Sequence, residues 1–442
     1  MKEIRYFEDS DKKQLDKKMQ AAFQIGNKQP TEKKSGTEGK EESAEELARR
    51  LRIQRRKREL RRRRRRRALM IRAALAAVLI LLLVFLIFLI FGGKKDKADK
   101  KNENQDEQTE EIVMEAVDTD KVLHLSFRTL IADPDMAFGQ EDVQAASLLD
   151  QSCVTVDEFN QILQQLYDQG YMLVKLEDLA AVNQDGMMEK KNLMLPQGKK
   201  PLILSQKNVN YDLSLYGQGI ASKLLVDENG RLVNELVQSD GSSSIGVYDV
   251  VTCVEAFVEN HPDFSLNNAR GILGVNGYNG ILGYETVTET DLLKQVVEEL
   301  KARGWEFACN GYKNVSYAQD LSVVQSDMEQ WRSQAEVLVG TVDKLIFPDG
   351  RDISNWSVYS EDNEVYQYLK NQGFRYYCGL DISGPWSQLT EEYLRCSYKQ
   401  VDGYRMYQDV YQNAGRFTGI LDFSGLYDMR RPSAPKEAEP EI

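Results

Sequence analysis

The chain has 442 residues and a formal net charge of −12, long enough for one or two domains with a substantial core. Residues 1–72 hold 25 Lys and Arg against 12 Asp and Glu, a net of +13, which leaves −25 on residues 73–442. Acid and base are therefore segregated, and five scattered cysteines without a C-x-x-C pair exclude both a zinc knuckle and a disulfide framework.

Residues 1–72 predict a basic, mostly disordered segment, polar and with few large apolar side chains up to residue 48. Residues 73–91 form an unbroken apolar run without Gly, Pro or charge, the length of a transmembrane helix. Arg61 to Arg67 and Arg72 stand immediately before it, whereas Lys94, Lys95 and Lys97 after it are offset by Asp96 and Asp99. The denser positive side stays in the cytoplasm, so a single span in the cell membrane is expected, with the C-terminal part outside. A cleaved signal peptide has a far shorter leader and ends in a small-x-small site, which Phe91-Gly92-Gly93 is not. The arginines read as topogenic, with no nucleic acid implied and attraction to anionic lipid as a by-product.

A Lys/Asp/Glu/Gln-rich stretch predicts a solvated stalk within residues 92–120. A folded domain is expected over 121–432, followed by a flexible Pro/Glu-rich tail, 433–442. Within the domain, strand-like runs alternate with helical stripes. Residues 155–170 carry Val156, Phe159, Ile162, Leu163, Leu166 and Tyr167 at helical spacing, and Thr155 with Glu158 makes a capping-box start. Strands are predicted at 171–174 and 201–204, a helix at 249–260, and a short strand at 271–274 entering a glycine-rich loop. Helices at 290–303, 320–339 and 364–372 then alternate with strands at 305–308, 344–347 and 374–378. Repeated βα units of this length predict an α/β fold with parallel strands, open or closed into a barrel. Functional residues in such folds sit at the C-terminal ends of strands.

Several stretches at those ends stand in a telling order. They are Leu130-Ile131-Ala132-Asp133-Pro134-Asp135 with Phe138, Thr155-Val156-Asp157-Glu158-Phe159, and Pro201-Leu202-Ile203-Leu204-Ser205-Gln206. Then come Gly277-Tyr278-Asn279-Gly280-Ile281-Leu282-Gly283-Tyr284, Gly304-Trp305-Glu306-Phe307-Ala308, Phe347-Pro348, Gly403-Tyr404-Arg405-Met406-Tyr407 and the closing Arg431-Pro432. In this order and spacing the chain resembles the polysaccharide deacetylase (NodB-type) family, in a membrane-anchored branch from anaerobic Gram-positive bacteria. The resemblance implies a distorted (β/α) barrel. It also implies hydrolysis of N-acetyl or O-acetyl groups on glycans with one divalent metal.

Such chemistry needs imidazoles and a carboxylate on the metal, and a second carboxylate to take a proton from the bound water. The family supplies an Asp-Asp pair after one strand and a His-x-x-x-His after another. Here the matching positions are Lys207 and Asn208, and Asn310 and Asn314. The base and all three ligands are replaced, and Lys207 brings a positive charge to the place of a cation. The only two histidines, His124 and His261, lie in other segments, and no leucine-x-histidine stands near Gly419-Ile420-Leu421-Asp422. The chain reads as a pseudoenzyme without a metal or other cofactor.

Asp349, Asp352 and Asp381 follow predicted strands, and a two-carboxylate glycosidase is a minor alternative, weighed against ordinary solvated surface. The glycine-rich loop lacks the Lys-Ser/Thr ending of a phosphate loop, so close packing at the site floor is expected. Tyr211, Tyr312, Trp356 and Trp386 fall near the former site by the resemblance. Their faces could stack on sugar, with Lys207, Asn208 and Asn310 as polar partners, although each alone reads first as packing. Two functions follow: a non-catalytic glycan-binding or scaffolding protein of the cell envelope, or an active carbohydrate deacetylase with a non-standard site. The acidic outer part disfavours anionic wall polymers, so neutral or N-acetylated sugar is the expected partner.

Overall fold

The computed structural model describes residues 113–380 and 384–435. The basic segment, the apolar run 73–91, the stalk up to residue 112, Asp381 and residues 436–442 lie outside the described residues. Among the described residues, no helix is long and apolar enough to cross a membrane.

Seven strands form a closed parallel barrel: β1 (Leu123–Phe127), β2 (Lys200–Lys207), β3 (Ile272–Val275), β4 (Glu306–Cys309), β5 (Lys344–Ile346), β6 (Tyr376–Leu380) and β7 (Leu394–Gln400). Each pairs in parallel with the next. Pairing of Lys399 with Leu125 and of Gln400 with Ser126 then closes the ring. Ring order is chain order. The short strand Tyr171–Leu173 lies beside the first residues of β2, on the edge that β3 occupies higher up.

Alternation along each strand separates two apolar layers. Leu125, Leu204, Leu273, Phe307, Leu345 and Tyr377 face outward into the larger core, where the helices pack. Ile203, Ile272, Ala308, Ile346, Cys378, Cys396 and Tyr398 fill the interior. All five cysteines are buried and free. Helices α1 (Pro134–Phe138), α2 (Val143–Ser152) and α3 (Val156–Asp168) follow β1, and α4 (Val250–Asn260) precedes β3. Helices α5 (Thr290–Ala302), α6 (Leu321–Trp331) and α7 (Glu364–Asn371) connect the next strands, and α8 (Gly403–Tyr411) follows β7. The predicted start of α3 is present: Glu158 N–H donates to Thr155 Oγ1 at 3.1 Å, and Thr155 N–H donates to Glu158 Oε2 at 2.7 Å. Satisfying two otherwise orphaned donors this way is worth about 1 kcal/mol. The stripe Phe159, Ile162, Leu163 and Leu166 is buried.

Four features differ from the sequence expectation. A three-stranded antiparallel sheet (Lys223–Val226, Leu232–Val237, Ser243–Gly246) is inserted between β2 and α4. The predicted helix 320–339 is α6 broken by a π turn at Arg332–Glu336. Strands β1 and β7 and helices α1, α2 and α8 were not predicted at all. The folded part also exceeds 121–432. Strand Met114–Ala116 pairs with Met194–Pro196, Ser433 hydrogen-bonds to Asp150, and Ala434 is buried.

Candidate functional site

The C-terminal ends of the strands form one mouth, and the first four sequence candidates divide there. Lys207 ends β2, points inward, and donates from Nζ to the Tyr398 hydroxyl of β7 at 2.8 Å. Asn310, fully buried just after β4, is used on both sides: Oδ1 accepts from Asn208 N–H at 3.1 Å and Nδ2 donates to the Ile346 carbonyl at 2.9 Å. Asn208 has φ 56°, a conformation asparagine tolerates better than most residues, and its Oδ1 is buried without a partner among the described residues. Lys207, Asn208 and Asn310 therefore converge. Asn314 does not.

Residues 310–314 form a loop rather than a helix, so the four-residue spacing does not put Asn310 and Asn314 on one face. Asp327 of α6 holds this loop, accepting from Tyr312 N–H at 2.7 Å, Lys313 N–H at 2.9 Å and the Tyr317 hydroxyl at 2.9 Å. Asn314 is left exposed.

Burial, with the Arg128 and Arg405 guanidinium groups nearby, pushes the Lys207 ammonium down to about 7, against the pull of Asp402 and Asp349. His124, remote in sequence, stands on β1 inside the same barrel. Its Nε2 is 2.8 Å from Ser205 Oγ, and its ring centroid is 5.7 Å from that of Tyr398. Burial and Lys207 push its imidazole down to about 3, so the ring is neutral. These residues do not fit a divalent cation. Asn310 has spent both amide atoms, a lysine takes the acid's place, and among the described residues no three His, Cys, Asp or Glu side chains gather as a metal-binding group.

The aromatic candidates lie in two places. Trp356 and Trp386 meet edge to face at 5.1 Å, and the Arg395 guanidinium lies 5.5 and 5.0 Å from their ring centroids. Arg395 is fully buried and paired with Asp352 at 3.3 Å. Asp352 also accepts from Trp356 N–H and from the Tyr359 hydroxyl. This is packing around a buried ion pair, and it occupies the Asp352 carboxylate that a glycosidase would need free. Asp349 pairs with the exposed Arg351 at 2.7 Å.

Tyr211 and Tyr312 instead line a cleft of about 590 Å³ beside the mouth, on the loops that leave β2, β3 and β4. Tyr216, Tyr278 and Tyr284 join them there. The Tyr211 hydroxyl donates to Asp249, that of Tyr312 to Gln334, that of Tyr284 to the Leu224 carbonyl, and that of Tyr216 to the Ser222 carbonyl. Their rings are thereby fixed. Half-buried Tyr278 packs edge-on against Tyr312 at 5.7 Å and carries Lys313 Nζ 5.1 Å from its centroid. The glycine-rich loop forms the near wall, as expected for close packing. Gly283 has φ 81°, and a Cβ there would lie 2.2 Å from the Ser222 carbonyl oxygen.

No family model matches the chain, and no curated protein matches it. Solved structures similar to it are deacetylases. Streptococcus pyogenes deacetylase PplD in complex with acetate is 14% identical, with a TM-score of 0.37, over 66% of this chain and 98% of that one. A polysaccharide deacetylase from Bacillus cereus is 10% identical, with a TM-score of 0.34, over 64% of this chain and 65% of that one. The BpsB deacetylase domain from Bordetella bronchiseptica is 11% identical, with a TM-score of 0.34, over 64% and 97%.

Sequence reasoning missed Tyr398, Arg128, His124 and Asp249. Asp249 precedes α4 and accepts from Leu130 N–H at 2.8 Å, Gln206 Nε2 at 2.6 Å and the Tyr211 hydroxyl, linking β1, β2 and the cleft. Burial pushes its carboxyl above the usual carboxylate range, against the pull of these donors. In the sequence it stood only as the first residue of the helix predicted at 249–260.

Proposed function

We propose that this chain is a membrane-anchored protein of the cell envelope, its barrel domain outside the cell, that binds or scaffolds a neutral or N-acetylated glycan without hydrolysing it. The observation that carries the reading is the tie from Lys207 to Tyr398 at a barrel mouth where the carboxamides of Asn208 and Asn310 stand beside it. An ammonium can hydrogen-bond a sugar hydroxyl or an acetyl carbonyl, but it repels the cation that would activate water. The cleft beside the mouth supports the same reading through its part-exposed Tyr216 and Tyr278, because aromatic faces stack on pyranose rings at little entropic cost.

The test uses the full-length protein in neutral detergent, with zinc, cobalt and nickel offered in turn and acetylated chito-oligosaccharides and peptidoglycan as glycans. Retention on the glycan without stoichiometric metal and without acetate release is the expected result. Acetate release that a chelator stops would replace this reading with the active deacetylase. Within the binding reading, Tyr278→Ala is expected to weaken capture about tenfold, or about 1.4 kcal/mol, measured by affinity electrophoresis on the immobilised glycan. An unchanged mobility would remove the cleft from the account.

A further inference from the structure

The barrel mouth also holds two positive groups that, among the described residues, form no ion pair. Phe127 pairs with Gln206, and Ser126 with Gln400. The next residue, Arg128, is therefore level with Lys207 on one neighbour and with Asp402 on the other. His124 meets Ser205 inside the barrel, and alternation along β1 carries Arg128 to the same side as His124. Arg128 is half-buried and, among the described residues, makes no hydrogen bond or ion pair. Lys207 is buried and, among the described residues, its ammonium hydrogen-bonds only to the neutral Tyr398 hydroxyl.

Among the described residues, the two carboxylates that act on Lys207 are already paired, Asp402 with Arg405 and Asp349 with Arg351. Two like charges converging in a partly desolvated hollow repel each other and lack the partner that burial of charge demands. An oxyanion between them removes both costs, and a guanidinium with an ammonium and a phenol supplies donors on three sides.

We propose that the mouth is an oxyanion site, in which Arg128 and Lys207 grip a carboxylate or phosphate borne by the bound sugar while the Tyr398 hydroxyl turns to donate. The sugar part rests on the glycan-binding reading; the oxyanion part does not. A net acidic domain repels polyanions at long range, yet one acidic substituent on an otherwise neutral glycan meets this local pair.

Calorimetric titration of the full-length protein in Tris chloride tests it, with glucuronate, inorganic phosphate and glucose as probes. One-to-one binding of glucuronate or phosphate but not glucose is expected, and whichever binds identifies the source as carboxylate or phosphate. Arg128→Gln and Lys207→Met should each weaken that binding at least tenfold. The Lys207 variant, expected to be the more stable protein, guards against a mere folding defect.

Glucuronate keeps one charge between pH 6 and 8.5, so its affinity reports the protein alone. It should fall several-fold over that range as Lys207 loses its proton among Arg128, Arg405, Asp402, Asp349, Tyr398 and His124. Absence of binding by both oxyanions overturns the proposal, as does binding indifferent to both substitutions. So does binding that appears only in Asp381→Asn, which would make that aspartate the internal counter-ion. Oxyanion binding without retention on N-acetylated glycan would defeat the glycan reading alone.

Discussion

Arg431→Ala is expected to destabilise the domain by about 3–5 kcal/mol, the usual cost of stripping one partner from a buried ion pair. The Arg431 side chain is fully buried near the chain's end. Its Nε donates to Glu158 Oε1 at 2.9 Å, one terminal nitrogen donates to the Asp150 carbonyl at 2.7 Å, and the other donates to the Cys153 carbonyl at 3.0 Å. The Phe138 and Tyr427 rings lie 5.4 and 5.3 Å from its guanidinium carbon. Removal leaves the Glu158 and Asp150 carboxylates uncompensated, and Glu158 is also the capping residue of α3. Against a typical total of about 5–15 kcal/mol, that loss is a large share. Urea denaturation measures it, and a loss under about 1 kcal/mol would show that the latch is idle. Arg431→Met combined with Asp150→Asn and Glu158→Gln should recover much of the loss, because the neutral amides keep the cap and leave no orphaned charge.

Lys207→Met is expected to act in the opposite direction. In the unfolded chain the ammonium has its ordinary value near 10.5, whereas in the folded protein it is held at about 7. Folding therefore favours the neutral amine. The resulting penalty is absent above pH 10.5, grows as pH falls, and is complete below pH 7. At about 1.4 kcal/mol per unit its ceiling is about 4–5 kcal/mol, and losing the bond to Tyr398 returns roughly 1 kcal/mol of that. The variant should thus be more stable than the parent at pH 7 by up to a few kcal/mol, with the gap closing toward pH 10. Thermal melts across that range in a buffer free of oxyanions decide it. A gap that is constant with pH would mean that Lys207 is not desolvated.

Both residues were visible in the sequence, and their roles were legible to different degrees. In α3 and β2 periodicity located the element within a few residues, but β1, buried on both sides, and the one-sided α8 passed unnoticed. Strand β7 escaped because no helix joins β6 to β7. Its outward side is covered by loops, so it carries Arg395, Ser397 and Lys399 where a helix-covered strand would carry Leu or Val. Missing β7 meant missing Tyr398, and with it the partner of Lys207.

Lys207, Asn208 and Asn310 were found because they fall on the site positions that the resemblance implies, and the ends of β2 and β4 bring them together. Asn314 failed because Asp327 gathers its loop, a contact that no spacing rule contains. Trp356 and Trp386 were placed near the site by the resemblance, but Arg395 decides what they do. His124 was set aside for its distance in sequence, which a closed barrel makes irrelevant.

The agreement between ring order and chain order has a consequence for how copies of this protein are made. Strand β1 has β2 on one edge early in synthesis, but its other edge waits for β7, synthesised nearly last. The barrel thus cannot shut by local steps, and loop-closure entropy falls on the final one. A copy truncated before Gln400 retains two raw strand edges with unspent amides, the kind of surface on which chains stick to one another. Premature stops that remove β7 should accordingly yield insoluble fragments rather than weakened barrels.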